Sequence, residues 1–552
     1  MLFRKLKNPS STSLIIFVAG LIACFANYTF FKKASEVYSF SSFGSGLFLF
    51  SLFIIIMNVI ILLFNLVRSK YTTKFFLISA LFLSSLTSYF IDTYNVVMDE
   101  SMILNVLSTD LHEALDLFSF KLLLYFLLLG VFPSLLVLKT KLNYTSFKSE
   151  MISKLKNILA STSIILLTLF SFSKFYASFF REHKPLRYYT NPMYFIYSVG
   201  KYSGHNLKHK NLVIKPLGRD SKIVADDRGR ELIIFVVGET ARADRFSLNG
   251  YARETNPLLK KEEVISFSNM YSCGTSTATS VPCMFSQLNR ENYSDEKAKS
   301  TENLLDVLSH TKKVNILWRD NNSNSHGVAN RVTYEDFKNA PINTICDVEC
   351  RDEGMLVGLQ DYINKQKSGD IVIVLHQMGN HGPAYYKRYP ANFEKFTPVC
   401  KTNQLEKCSN EEIGNVYDNA ILYTDYFLAK VISLLKANSK DYETAMLYIS
   451  DHGESLGENG VYLHGFPYFM APEEQKKVAA VVWFGESMKE DIDIPLLKKK
   501  AHDKYSHDNI FHTMLGLMEV KTSVYDKGMD ILNAALKVGN KDGKKSSIFS
   551  LR

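Results

Sequence analysis

Apolar positions run almost unbroken through the first third of the chain and then fall into short bursts. Five stretches, Thr12–Phe31, Gly44–Val67, Phe75–Val96, Phe120–Leu138 and Ile158–Ser178, are each long enough to cross a bilayer. The third and fifth carry many Ser and Thr, which softens their ends. Five such runs leave no polar faces, so buried helices of a soluble protein do not explain them. Residues 181–228 are basic, Tyr-rich at the start and irregular, and predict a linker along the membrane surface with a helix near Tyr194–Tyr202. Beyond it the pattern changes. Leu232–Val237, Val314–Trp318, Ile371–Leu375, Met446–Ser450 and Ala479–Phe484 are short apolar runs, with helical periodicity between them, as in Tyr417–Lys436. That alternation predicts a largely parallel sheet covered on both faces. The expected division is a five-helix transmembrane domain over 1–180, the linker over 181–228 and an extracytoplasmic catalytic domain over 229–552.

Charge gives this arrangement a direction. Arg4, Lys5 and Lys7 precede the first span, Arg68, Lys70 and Lys74 follow the second, and Lys139, Lys141, Lys148, Lys154 and Lys156 lie between the fourth and fifth. The alternate loops hold only Lys32 and Lys33, and none from Asp92 to Phe118. Cytoplasmic loops carry the Lys/Arg excess, so the N-terminus is expected in the cytoplasm and everything after about Arg181 outside. Cleavage before Cys24, in Leu21-Ile22-Ala23-Cys24, is the rival reading of the N-terminus; a lone buried cysteine in an uncleaved anchor is preferred. Apolar residues at 47% exclude a disordered chain. A net charge of +9 suits an anionic membrane or phosphate-bearing substrates and is too diffuse for nucleic acid. The loop Asp92–Phe118 holds six acids. A helix there would align Asn105, Thr109 and Glu113 as one polar stripe, either a solvated face or a contact for lipid headgroups.

Six of the seven cysteines follow residue 270, in the close pairs Cys273/Cys283, Cys346/Cys350 and Cys400/Cys408. Local disulfides in an oxidising compartment are expected, and no Cys-x-x-Cys spacing favours thiolate zinc. The predicted strands end in chemistry. Glu239 follows one; Asp451 and His452, in S-D-H-G-E, follow another. The carboxyl ends of parallel strands are where ligands gather, and carboxylate plus imidazole is a zinc donor set. His381 (G-N-H-G-P) and His464 (L-H-G) lie in glycine-containing loops that can turn into the same crevice. Cys273–Cys283 encloses a run dense in hydroxyls, where a metal-activated nucleophile is expected. Physical reasoning leaves Thr275, Ser276, Thr277 and Thr279 all open.

The strings V-V-G-E-T-A-R-A-D-R-F-S-L-N-G-Y, S-C-G-T-S-T-A-T-S-V-P-C-M-F-S, I-L-W-R-D-N-N-S, H-Q-M-G-N-H-G-P-A-Y and Y-I-S-D-H-G-E-S-L-G-E-N-G-V-Y-L-H-G resemble the phosphoethanolamine transferases that modify lipid A, which include the mobile colistin-resistance enzymes. The likeness covers nearly the whole chain, including M-I-L-N-V-L-S-T-D-L-H-E-A. It implies an α/β/α domain of the alkaline-phosphatase/sulfatase type behind the membrane helices. Thr277 is the implied nucleophile, and Glu239, Thr277, Asp451 and His452 the implied ligands of one tightly bound zinc, with a second zinc left open. His381 and His464 match positions of a second metal or of proton transfer. Asn105, Thr109, Glu113, Asn322 and Ser323 match positions that meet the phosphoethanolamine headgroup. His326 stands where some relatives have Lys, which would make its contact with substrate phosphate depend on pH.

The expected activity is zinc-dependent transfer from phosphatidylethanolamine to a lipid A phosphate through a phosphoethanolamine–threonine intermediate. It would be carried out by a monomer in the bacterial inner membrane, with the catalytic domain in the periplasm, and would confer polymyxin resistance. Transfer to core heptose or Kdo of lipopolysaccharide, and glycerol-phosphate transfer as in teichoic acid synthesis, are the alternatives. A sulfatase would need C/S-x-P-x-R, where this chain has Cys283-Met-Phe-Ser-Gln. A receptor would leave the metal and nucleophile without purpose.

Overall fold

The computed structural model describes residues 9–40, 42–109, 111–208, 213–223 and 229–537, with backbone alone for 111, 112 and 205–208. Arg4, Lys5, Lys7 and the boundary at Arg228 lie outside the described residues. The chain divides into two compact units, Met1–Ile103 with Phe118–Gly204, and Leu104–Leu117 with His205–Arg552.

In the first unit, α1 (Ser11–Phe25) and α2 (Tyr28–Val37) form one bent pair, followed by α3 (Phe43–Leu66), α4 (Thr73–Tyr94), α5 (Phe120–Lys139) and α6 (Phe147–Ser171). Among the described residues, four helices are long and apolar enough to cross a membrane, or five with the pair bent by 57° counted as one. The bend has a polar cause. Buried Asn27 donates from Nδ2 to the carbonyls of Ile22 at 3.0 Å and Asn191 at 2.9 Å, and Asn191 N–H returns a bond to Asn27 Oδ1 at 2.8 Å. Inside α5 a π turn, Phe126–Val131, precedes Pro133, whose missing N–H cannot join an α ladder.

Two expectations need correcting here. The fifth apolar helix begins at Phe147, capped by Ser146, so Lys148, Lys154 and Lys156 lie on a helix and not in a loop. Cys24 is exposed, because the buried face of α1 runs through Leu14, Ile15, Val18, Ala19, Ile22 and Ala23. Arg68 is also more than a loop charge: it is buried, and its guanidinium pairs with Glu150 at 2.7 Å.

The second unit is built on a seven-stranded sheet. Its strands are β1 (Glu231–Gly238), β2 (Ile265–Ser266), β3 (Val314–Asp320), β4 (Thr333–Asp336), β5 (Asp370–His376), β6 (Glu443–Ser450) and β7 (Ala480–Phe484), in the order β2-β7-β6-β1-β5-β3-β4. β6, β1, β5, β3 and β4 are parallel, and β7 and β2 close one edge antiparallel. All eight residues of β1 are buried, which is why its sequence reads as one apolar run. On one face Phe285, at the end of α7 (Thr277–Met284), packs its ring 5.3 Å from Phe235 and 5.4 Å from Trp318. On the other lies α8 (Asn410–Asn438), started by a capping box between Ser409 and Glu412.

Candidate active site

Register places the chemistry. Val237 of β1 pairs with His376, Gly238 pairs with Ser450, and Asp320 pairs with His376. Four parallel strands therefore end side by side, and Glu239, Asp451, His452 and Asn322 all leave from that edge. The turn after β1 is tightly held. Thr240, at φ 50°, donates its N–H to Asp451 Oδ1 at 3.2 Å, and its carbonyl accepts the Tyr417 hydroxyl at 2.5 Å. Gly379, at φ 52°, passes so close that a Cβ would lie 2.8 Å from the Glu239 carbonyl oxygen.

Glu239, Asp451 and His452 converge, with one ligand atom from each within 4.8 Å of the others. All three are fully buried. His452 Nδ1 lies 2.9 Å from the Gly453 carbonyl, so that nitrogen carries the proton and Nε2 keeps its lone pair for the cluster. Nε2 stands 3.5 Å from Glu239 Oε1 and 3.3 Å from Asp451 Oδ2, and neither of those oxygens has a hydrogen-bond partner. Burial, then the Asp451 carboxylate, pushes the Glu239 carboxyl well above its usual range. Two buried carboxylates with unpartnered oxygens and one imidazole lone pair are a costly grouping that a divalent cation would relieve. The donor set therefore fits a metal ion.

Thr277 is the first residue of α7, within the loop closed by the Cys273–Cys283 disulfide. Its hydroxyl donates to Glu239 Oε2 at 3.2 Å and lies 3.3 Å from His452 Nε2. The other hydroxyls left open by sequence include one that bonds elsewhere and one at the helix N-cap, whose side chain makes no capping bond. Thr275 donates to the Phe466 carbonyl at 2.5 Å, and Ser276 is the helix N-cap residue.

His464 packs against His452 with ring centroids 4.2 Å apart, and His381 lies 5.6 Å from His464. Burial would lower the His464 pKa, but the Glu454 carboxylate, 3.2 Å from Nδ1, raises it overall. His381 is pulled well below its ordinary value by burial and by neighbouring His464. Asn322 Nδ2 donates to Glu239 Oε2 at 2.8 Å and to the Gln377 carbonyl at 2.7 Å. Ser323 N–H donates to Asn322 Oδ1 at 2.5 Å, and its hydroxyl lies 3.5 Å from His326 Nε2. Burial pulls the His326 imidazole down to about 4, which leaves it neutral near pH 7.

Asn105, Thr109 and Glu113 do not share one helix. Residues Glu100–Ser108 and Leu111–Asp116 form two, and Asp110 between them lies outside the described residues. Both the N–H and the hydroxyl of Thr109 donate to the Asn105 carbonyl, at 2.9 Å and 2.8 Å, closing the first helix. Glu113 is buried and adds negative charge felt by Glu239 and His464.

Sequence reasoning passed over several supporting groups. Glu454 stood inside the quoted S-D-H-G-E and was available by its spacing. Buried Arg242 reaches Asp244 at 2.7 Å, Glu458 at 2.6 Å and the Glu454 carbonyl at 3.1 Å. His507 had no local signal. Its Nδ1 accepts the Cys273 N–H at 3.1 Å and its Nε2 meets the Ser450 carbonyl at 3.0 Å, bridging the Cys273–Cys283 loop to the strand that precedes Asp451.

Comparison with known proteins agrees with this architecture. Residues 231–520 match the sulfatase family model, and residues 56–207 match that of the phosphoethanolamine transferases EptA/EptB. The chain is 45% identical to phosphatidylethanolamine transferase Mcr-1 of Escherichia coli over 93% of this chain and 96% of that one. It is 39% identical to phosphoethanolamine transferase EptA of Escherichia coli K12 over 98% and 100%. Among solved structures, the integral membrane lipooligosaccharide phosphoethanolamine transferase A of Neisseria meningitidis superposes with a TM-score of 0.92 at 36% identity, covering 96% of this chain and 100% of that one.

Proposed function

This chain belongs to the EptA and Mcr family of phosphoethanolamine transferases, and from that premise we propose that it moves phosphoethanolamine from phosphatidylethanolamine to a lipid A phosphate through an ester on Thr277. The observation that carries this reading is the place of the Thr277 hydroxyl, 3.2 Å from Glu239 Oε2 and 3.3 Å from His452 Nε2, beside two buried and unpartnered carboxylate oxygens. Glu239, Asp451 and His452, with Thr277, would hold zinc. When bound, that ion would lower the hydroxyl pKa and neutralise charge on the phosphoryl oxygens. Of the two roles open to His381 and His464, a second metal or proton transfer, the Glu454 contact of His464 favours proton transfer.

The chain's own residues supply the rest. Glu239 and Asn322 orient the hydroxyl toward the crevice. Thr277 Oγ1 gives up its proton to Glu239 Oε2, the carboxylate oxygen it already faces at 3.2 Å, and forms the new P–O bond while the bond to the diacylglycerol oxygen breaks. His464, held by Glu454, delivers the proton to that departing oxygen. A lipid A phosphate oxygen then attacks the same phosphorus and Thr277 leaves. Asn105, Thr109, Glu113, Asn322, Ser323 and His326 form the proposed headgroup and phosphate contacts. A monomer is the proposed state. The proposed placement is the bacterial inner membrane, N-terminus in the cytoplasm, with residues 229–552 catalytic in the periplasm.

The test is mass spectrometry of lipid A from cells with and without the protein, together with mapping of enzyme trapped with donor alone. Gain of one phosphoethanolamine on lipid A, and the same mass on the peptide holding Thr277, are expected. Modification confined to core heptose or Kdo would move the acceptor, and a label on Thr275 or Thr279 would overturn the nucleophile.

A further inference from the structure

Arg388 is buried and bonds in three directions. Its Nε donates to the His381 carbonyl at 2.6 Å, its Nη2 to Asp116 Oδ2 at 2.7 Å, and its Nη1 to Glu349. Asp116 comes from the segment Leu104–Leu117, which joins the catalytic unit although both its flanks run into membrane helices. The other Asp116 oxygen takes the Lys387 ammonium, and the Asp116 carbonyl accepts Asn403 Nδ2 at 2.8 Å. Glu349 lies inside the small loop closed by Cys346–Cys350. Arg351 braces that loop from below, with one guanidinium nitrogen 3.6 Å from Glu349 and a bond to the Lys387 carbonyl at 2.5 Å. Glu113, three residues before Asp116, adds negative charge felt by Arg388. One guanidinium thus joins the backbone of an active-site histidine to the segment that carries Asn105, Thr109 and Glu113.

A buried cation between two carboxylates holds its place strongly, because removing either partner strands a charge away from water. The hydrogen bonds of Arg388 go to His381, Asp116 and Glu349, one step removed from Thr277, Glu239, Asp451 and His452. We propose that Arg388 is a positioning residue that sets the segment 104–117 against His381, with Asp116 as the segment's docking carboxylate and the Cys346–Cys350 loop presenting Glu349 as the fixed counter-charge. This rests on the reading above, in which that segment meets the donor headgroup. The latch acts on placement of a lipid donor and leaves the bond-making groups alone.

The test uses full-length enzyme in proteoliposomes of phosphatidylethanolamine and a water-soluble nitrophenyl ester of phosphoethanolamine as a second donor. Asp116→Asn is expected to raise KM for the lipid donor by about tenfold, with kcat for lipid and turnover of the soluble ester held within about twofold. Asp116→Glu should restore most of the lipid KM, which a merely structural role would not require. Equal losses on both donors, or no change on either, would overturn the proposal, as would equal behaviour of the Asn and Glu variants. Should Asp116→Asn not fold, Asn403→Ala, which removes the bond to the Asp116 carbonyl and leaves its carboxylate in place, carries the same comparison with a smaller rise in KM, and no rise refutes it. Wild-type enzyme that fails to transfer from the lipid at all would instead defeat the proposed function, so the two failures are distinct.

Discussion

At Thr277 a single oxygen has two neighbours that no other hydroxyl of the loop shares, Glu239 Oε2 and His452 Nε2. Thr277→Ala should cut transfer by roughly a thousandfold or more while changing stability by no more than about 1 kcal/mol, since one small side chain is lost beside a site that keeps Glu239, Asp451 and His452. Thr277→Ser should keep weak activity. Transfer assays with a parallel zinc determination read both, and normal transfer by folded, metal-loaded Thr277→Ala contradicts the assignment. His507 makes a different kind of prediction. Its two bonds need a neutral ring, and burial pushes its pKa down to about 4. The unfolded chain takes a proton below about 6.5 that the native chain refuses, so this residue's stabilisation is complete above that pH and is lost as pH falls toward 4. His507→Ala should cost roughly 2–3 kcal/mol at pH 7.5 and show a flatter decline between pH 6.5 and 4 than the wild type. Thermal unfolding across that range is the measurement, and parallel curves would refute the assignment.

The proposed nucleophile lies on α7, at the loop that the Cys273–Cys283 bridge closes around the start of that helix. The helix has only eight residues, too few to hold its own geometry, so Thr277 depends on the bridge and on His507 for its place. Replacing both cysteines by Ser should lower stability by roughly 2–4 kcal/mol and depress transfer more than it depresses zinc content, because the other proposed ligands, Glu239, Asp451 and His452, follow the strand ends and do not lie on this helix. Equal loss of metal and activity would argue that the loop builds the metal site as well. Non-reducing peptide mapping should recover all three local pairs, Cys273–Cys283, Cys346–Cys350 and Cys400–Cys408.

For the whole molecule, the division of labour follows from what each part holds. A fragment beginning at about residue 229 retains Glu239, Thr277, Asp451 and His452, and is expected to fold, bind zinc and turn over the soluble ester slowly. It lacks the segment 104–117, so Arg388 and Lys387 lose Asp116, and it lacks the membrane-spanning helices. Lipid A modification by the fragment should therefore be poor. Activity on lipid A equal to the full chain would mean that the membrane part is only a tether.

Much of this was legible without coordinates. Spans betray themselves by unbroken apolar runs, because a bilayer offers backbone and side chains no other solution. Buried parallel strands betray themselves by apolar bursts, and the residues just past those bursts reach one sheet edge by topology alone, as Glu239, Asp451 and His452 do. Close cysteine spacings made the three disulfides readable for the same local reason. Tertiary structure alone decided what depends on distant partners. Asp116 meets Arg388 across 272 residues, and His507 meets Cys273 across 234. Asn27 bends the first span because Asn191 lies beside it, and the expected stripe of Asn105, Thr109 and Glu113 breaks where Thr109 turns back on its own helix. Periodicity encodes which face of an element is apolar. It does not encode which polar group from elsewhere in the chain will satisfy a buried charge, and on that choice the geometry of this site depends.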